Sequence, residues 1–327
     1  MDALINGLIE ILKPIGITEP VFQFMLVNAI LGVSIYLTLY CGLFSLANAG
    51  FMAIGAYVGV ILTQSFDLPL FGALLGGMIA AGLIAIPIGI PTLRLRDIYL
   101  AIATIGFGEI VRIMILNFDD FIGSILTLVQ GERVRFTLIE GARGIKGIPK
   151  LTESWHLILF LLILMFFLTR LHHSRLGRAM TAIRQDEIAA ASMGINVVYV
   201  KNVVFIMSAI LAGAAGVFSG HLTRIVTPQA FGFDKTVDIL AFAVLGGTST
   251  WFGPIVGGLV LTALPESLRF LKEYRGVFTG LVLLVVIVYL PGGLINTTSW
   301  SKFIRRFTNR PESPPDENSG HSTTRAN

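Results

Sequence analysis

The sequence predicts an all-α integral membrane protein, a polytopic helical bundle of about eight to ten transmembrane segments, some of them broken or re-entrant. Three observations predict it. Of the 327 residues, 54% are hydrophobic and 13% charged, whereas a soluble domain carries roughly a quarter charged residues. The mean hydropathy is +0.79, and apolar runs of span length follow one another with no large polar block between them. The basic residues fall in short clusters between those runs, as membrane orientation requires. The net charge of +4 and pI near 9.3 therefore point to lipid and not to nucleic acid.

Residues 1–20 read as an N-terminal interfacial segment, because the apolar stretch Leu4–Leu12 is short and is broken by Glu10, Lys13 and Pro14. No basic region precedes that stretch, so no cleavable leader is evident. The membrane domain follows over 21–296. Val21 to Ser65 contains no charged residue, which leaves room for two passes, Val21–Tyr40 and Leu43–Gln64. Between them CGLFSLANAGFMAIGAYVG is rich in small residues, which favour close helix packing (Gly55 with Gly59) or a broken, re-entrant helix. Leu70–Pro91 is a third span, with Gly72 and Gly76 as a second close-packing pair, and Ile98–Phe118 is a fourth, carrying Glu109 and Arg112. The stretch 119–153 is polar with balanced charge. Trp155–Leu171 and Val198–His221 are the fifth and sixth spans. Residues 236–268 read as two shorter helices meeting at GGTSTWFGP, and Val277–Leu290 is the last span. The Pro-containing tail 297–327 reads as disordered and cytoplasmic. Gly55–Gly59 and Gly253–Gly257 share a G-x-x-V-G spacing, a match short enough to arise by chance in a glycine-rich chain.

Orientation follows from the basic clusters. Arg94 with Arg96, Arg170–Arg184 and Lys302–Arg310 belong on the cytoplasmic side, and 119–153 outside. The count closes only if 236–268 crosses as two helices, which puts the N-terminus outside and gives about nine segments.

The main polar interruption runs from Arg170 to Val197. On a continuous helix Met180, Ile183, Ile188 and Ala191 fall on one side, while Arg184, Gln185 and Asp186 face elsewhere. An amphipathic helix pressed against something outside the bilayer and an ordinary cytoplasmic loop both fit this spacing.

Motifs for enzymatic chemistry are absent: the chain has no G-x-x-x-x-G-K-[ST] loop, no H-E-x-x-H and a single cysteine, Cys41. His172 and His173 read as solvated residues at a helix end. Asp238, His221 and Arg224 read as solvated groups near the outer interface. Glu109 and Arg112 need a reason to sit in a span, where a charge costs roughly 2.5–3.5 kcal/mol on insertion scales. At i and i+3 they either neutralise each other or line a path for a zwitterionic solute.

The stretches RLRDIYLAIATIGFGEIVRI (94–113), RGIKGIP (143–149), SRLGRAMTAIRQDEIAAASMGIN (174–196) and VLGGTSTWFGPIVGG (244–258) resemble permease subunits of the branched-chain amino acid ABC importers. GLFSLANAGFMAIGAY (42–57) is similar to that family's N-terminal signature, and the likeness covers about residues 30–295. Such permeases also serve other neutral amino acids and urea. The resemblance implies a fold of the many-helix type II importer kind in a bacterial inner membrane, with no cofactor and no catalysis by the chain itself. The implied partners are a second, homologous permease, two cytoplasmic ATP-binding subunits and a periplasmic solute-binding protein. It further implies that a coupling segment within 172–197 meets the ATPase, through Arg184, Asp186, Glu187, Ala189, Ala190 and Gly194. Ala189, Ala190 and Gly194 match the A-A-x-x-x-G part of the importer signature, while Ile188 stands where Glu is usual and Glu187 comes one residue earlier. The pathway-lining candidates are Glu109, Arg112, Asn48, Gly50, Gly246 and Gly247. An ion-coupled secondary transporter would instead need a coupling-ion site, and a structural scaffold would need no amphipathic coupling segment.

Overall fold

The computed structural model describes residues 18–95, 97–130 and 138–267, with positions 280, 281, 284, 285, 288, 293 and 294 beyond them. Nearly all of the interfacial segment, most of the last expected span and the whole of the tail 297–327 lie outside the described residues.

The described chain is helical apart from short connections: α1 Glu19–Tyr40, α2 Asn48–Phe66, α3 Leu70–Thr92, α4 Asp97–Leu116, α5 Phe118–Gln130, α6 Ser154–His173, α7 Arg175–Gln185, α8 Glu187–Ser192, α9 Val197–Thr223, α10 Phe233–Gly246 and α11 Gly253–Ser267. Among the described residues, α1, α2, α3, α4, α6 and α9 are long and apolar enough to cross a membrane. These are the six spans expected from hydropathy, with ends moved by a few residues. The largest move is at α2, which starts at Asn48 and not at Leu43. Residues 43–46 are non-helical, and their backbone is satisfied in other ways: Leu43 N donates to Thr38 O (2.8 Å) and Leu46 N to the Thr104 hydroxyl of α4 (2.9 Å).

The core forms around α9. Lipid tails are as apolar as leucine, so helices in a bilayer gain by close van der Waals approach, which small residues permit. Gly55 of α2 meets the backbone of Gly213, and Gly216 of α9 meets the Met52 carbonyl and Ala56 N. On α3 the inward stripe is Ala73, Gly77, Ala81, Ala85 and Gly89, repeating every fourth residue. The expected Gly72–Gly76 pair is not the contact: Gly72 meets only its own N-terminal turn and Gly76 only the Leu62 side chain. Gly77 is the residue that reaches Gly55 and Val217. Helices α2, α3 and α9 thus form one tight unit, while α3, α4 and α6 also present Ile, Leu and Phe outward.

Polar ties mark two ends. At one end Gln23 Nε2 donates to Ser154 Oγ (2.9 Å), Tyr57 OH to Val226 O (3.2 Å) and Gln64 Nε2 to Lys146 O (3.1 Å). Here Ile145–Lys146 pairs antiparallel with Ile225–Val226. The stretch 119–153 is not simply a polar connection, because α5 occupies its first part. The Asp119 carboxylate accepts from the backbone N–H groups of Leu138, Ile139 and Glu140. His221 is not solvated: it is buried, with Nε2 2.9 Å from the Thr63 hydroxyl and Nδ1 2.9 Å from Val217 O. Arg224 is exposed and donates from Nε to Ile148 O (3.4 Å). Asp238 is exposed as expected.

Helices α10 and α11 are the two short helices expected in 236–268, and they form a hairpin that returns to the end it starts from. Lys235 Nζ reaches Asn28 Oδ1 (3.1 Å), and Asn28 Nδ2 donates to Thr262 Oγ1 (2.9 Å), so both arms reach the same residue of α1. A Cβ on Gly32 would lie 2.6 Å from the Pro254 carbonyl, which places the hairpin tip at Gly32. At 1.5 Å per residue the tip stops about 12 Å short of Tyr40, and the 14- and 15-residue arms are each about 21–22 Å long. The hairpin dips part of the way in and does not cross, so the two crossings expected of 236–268 are not made: Pro254 meets α1 at Gly32, short of its far end.

Candidate functional site

The polar interruption folds as two helices with a break between them. Ser174 caps α7 by accepting from Gly177 N (3.1 Å). Asp186, with φ −158° and ψ 114°, ends α7 and caps α8, its Oδ1 accepting from Ile188 N (2.8 Å) and Ala189 N (3.0 Å). Gly194, at φ +83°, closes α8, and the Asn196 side chain caps α9 by accepting from Tyr199 N (3.0 Å). The extended residue at 186 breaks the continuous face expected from the sequence. Met180 and Ile183 are buried, but Ile188 is 73% exposed, and Ala191 is exposed too. Met193 is 84% exposed.

Ala190 is only 5% exposed, and Gly194 lies past the end of α8. The two therefore do not form a shared open face, and a large side chain at Ala190 would disturb this chain's own packing first. Ala189, Arg184 and Asp186 are exposed.

Two sets of contacts fix this segment to the membrane helices. Helix α7 joins α1: Tyr40 OH lies 2.9 Å from Thr181 Oγ1, and the Arg184 guanidinium lies over the Tyr40 ring at 5.8 Å. His172 is not a freely solvated residue, because its Nε2 is 3.0 Å from Tyr36 OH and its ring packs on Tyr40 at 4.6 Å. Helix α8 joins α9: Glu187 Oε2 is 2.6 Å from Lys201 Nζ, with the two side chains 45% and 11% exposed. A cup of about 220 Å³ opens beside this pair, lined by Asp97, Asp186, Glu187 and Lys201 together with Leu43, Leu95, Leu100 and Ile188. Cys41 lies near the same pair, and burial pushes its thiol up to about 12.

Glu109 and Arg112 form an ion pair at 2.7 Å, 33% and 27% exposed, and rest against Gly232 in the connection before α10. Asn48 is buried at the start of α2, donating from Nδ2 to Ser34 Oγ (2.8 Å) and Ser208 Oγ (3.0 Å), while Ser208 Oγ donates to Ser34 O (2.7 Å). Gly50 meets Gly108 and Phe107 of α4. Gly246 is covered by Gly253 and Pro254, and Gly247 by Gly293. The pathway candidates do not form one cluster: the ion pair rests against Gly232, Gly50 packs on Gly108 beside Glu109, Asn48 is held by Ser34 and Ser208, and Gly246 and Gly247 are packed within the hairpin and against Gly293. Among the described residues, no group of His, Cys, Asp or Glu has the arrangement of a metal site.

Lys201 went unremarked in the sequence although its signal was present, a single charge within the apolar run VVYVKNVVF. The Asn48–Ser34–Ser208 cluster gave no such signal, since Ser and Asn are common in spans and their meeting depends on three helices.

Close-packed spans, a re-entrant hairpin and a broken polar segment anchored on two core helices define a polytopic helical membrane protein. The chain belongs to the family described as branched-chain amino acid transport system / permease component, whose model matches residues 18–287. It is 33% identical over 291 residues to the high-affinity branched-chain amino acid transport system permease protein LivM of Salmonella typhimurium (strain LT2), covering 83% of this chain and 66% of that protein. The likeness to LivM of Escherichia coli (strain K12) is 33% over 289 residues, with the same coverage. The match thus spans just under two thirds of the length of these relatives. The permease protein LivH of the same transport system in Salmonella typhimurium is 33% identical over 127 residues, covering 38% of this chain and 41% of LivH. No solved structure matches the chain.

Proposed function

We propose that the chain is a permease subunit of an ATP-driven importer for branched-chain or other neutral amino acids in a bacterial inner membrane. It works with a second, homologous permease, two cytoplasmic ATP-binding subunits and an extracytoplasmic solute-binding protein. ATP hydrolysis belongs to the separate subunits, and the bundle, with the last span added, is of the many-helix type II kind. The likeness to two permeases named for one transport system supports a paired arrangement.

The observation that carries this reading is the α7–α8 segment. It lies between the ends of two spans, is anchored on α1 and α9, and presents Ile188 and Met193 outward where no lipid contact is needed. Large exposed apolar side chains beside Arg184 and Asp186 fit a protein partner. The ATP-binding subunit docks there, with Ile188 and Met193 as its apolar contacts. Solute passes near the depth at which α2 begins and the α10–α11 hairpin turns, both beside Gly32–Ser34 of α1. Opening the path separates the hairpin tip at Pro254 from Gly32 of α1.

Ile188→Glu tests the docking. An exposed substitution leaves folding within about 0.5 kcal/mol, so the permease should still insert. Capture of the ATP-binding subunit in detergent should fall at least tenfold. Undiminished capture by Ile188→Glu would remove this segment as the docking surface.

A further inference from the structure

We propose that the Glu187–Lys201 ion pair is the link through which the α7–α8 segment drives α9, and that Lys201 is a positioning residue for transport. The inference rests on the importer reading above and goes beyond it by assigning the transmission to one contact. Within the importer signature, the acidic residue here stands one place early, at Glu187, and Ile188 occupies its usual position. The structure gives that displacement a consequence. The extended residue Asp186 turns the start of α8 so that Ile188 faces out and the Glu187 carboxylate reaches Lys201 Nζ at 2.6 Å.

Both halves of the segment pack against α9, but their polar side-chain ties go to different helices. Helix α7 holds α1 through Tyr40 with Thr181 and Arg184. Among the described residues, helix α8 has one charged tie, and it goes to α9, beside the short connection in which Ile195 N donates to Ala190 O. Between α8 and the start of α4 lies the cup. A displacement of α8 that leaves the ion pair intact must carry the first turns of α9 with it. The small-residue contacts of Gly213 and Gly216 then pass it to α2, and that of Gly77 to α3. Packed helices move as units and do not deform continuously.

The chemistry suits a link that must not slip. The Lys201 side chain is 11% exposed, and the cup beside it, with Asp97 and Asp186, is where its ammonium meets water, while the Glu187 carboxylate is 45% exposed. Separating the pair leaves the mostly buried ammonium without its carboxylate, which costs more than parting a fully exposed pair and less than parting a fully buried one.

The test uses the whole complex, with permeases, ATP-binding subunits and binding protein, reconstituted in vesicles. Labelled leucine is the probe, and the readout is solute moved per ATP hydrolysed. Lys201→Gln should lower that ratio at least tenfold while hydrolysis stays within twofold. Exchanging the charges, Glu187→Lys with Lys201→Glu, should recover at least a third of it. If Lys201→Gln does not assemble, the apolar pair Glu187→Leu/Lys201→Leu restores packing without the ionic tie, and its ratio decides. A structural role alone would lower assembled protein and leave the ratio unchanged. A wild-type ratio in an assembled Lys201→Gln or double-leucine complex overturns the link. Absence of ATP-dependent uptake in the wild-type complex would instead overturn the importer reading, so the two failures are distinguishable.

Discussion

Replacing Gly216 by alanine is a sharp test of how the core is built. A Cβ at Gly216 would lie 2.8 Å from Ala56 N and closer still to the Met52 carbonyl, both backbone atoms of α2. No side-chain rotation can make room, so the helices must part. Ordinary contact begins near about 3.5 Å, so the separation grows by roughly 0.7 Å or more. A gap of that size forfeits about a quarter to a half of each dispersion well along the seam. Overpacking costs about 1–3 kcal/mol where side chains can adjust, and a cost near the upper end, about 3 kcal/mol, is expected here. Thermal unfolding in mild detergent should show a clear fall in Tm for Gly216→Ala. Gly106→Ala, where a Cβ would meet nothing within 4 Å, should leave Tm unchanged or slightly raised. A wild-type Tm for Gly216→Ala would mean that α2 and α9 are not in backbone contact.

Two further outcomes follow from the polar groups. Glu109→Gln should cost about 1–2 kcal/mol, reduced from the fully buried case because the pair is partly exposed. Adding Arg112→Gln should recover most of that in Tm, and a double mutant that is stable yet slow in uptake would show that the pair also touches solute. Cys41, raised to about 12 by burial, exposes almost no thiolate at pH 8. A maleimide should therefore label it only after denaturation, and rapid labelling of the native protein would contradict its burial.

The six spans were legible in the sequence because an apolar run of about twenty residues has few other uses. The break in 236–268 was legible too, from Gly246, Gly247, Gly253 and Pro254. How far the hairpin dips was not, because depth is set by which residue of α1 meets Pro254. Helical periodicity also failed at Asp186: a window that assumes one continuous helix places Ile188 with Met180, and a single extended residue rotates everything after it. The same break turns Ala190 inward, so a signature match identified the segment but not its exposed face. His221 looked like an interface residue, yet it finds Thr63 and Val217 O inside the bundle. For charged and hydrogen-bonding residues near span ends, distance along the chain does not report which partners the fold supplies.

The most direct measurement is solute uptake driven by ATP in sealed vesicles containing this chain with its sister permease, the ATP-binding subunits and the solute-binding protein. Labelled leucine should accumulate only when ATP and the binding protein are both present, and omission of this chain should abolish it. Accumulation that persists without ATP and follows an imposed proton or sodium gradient would contradict the account and mark the chain as an ion-coupled carrier.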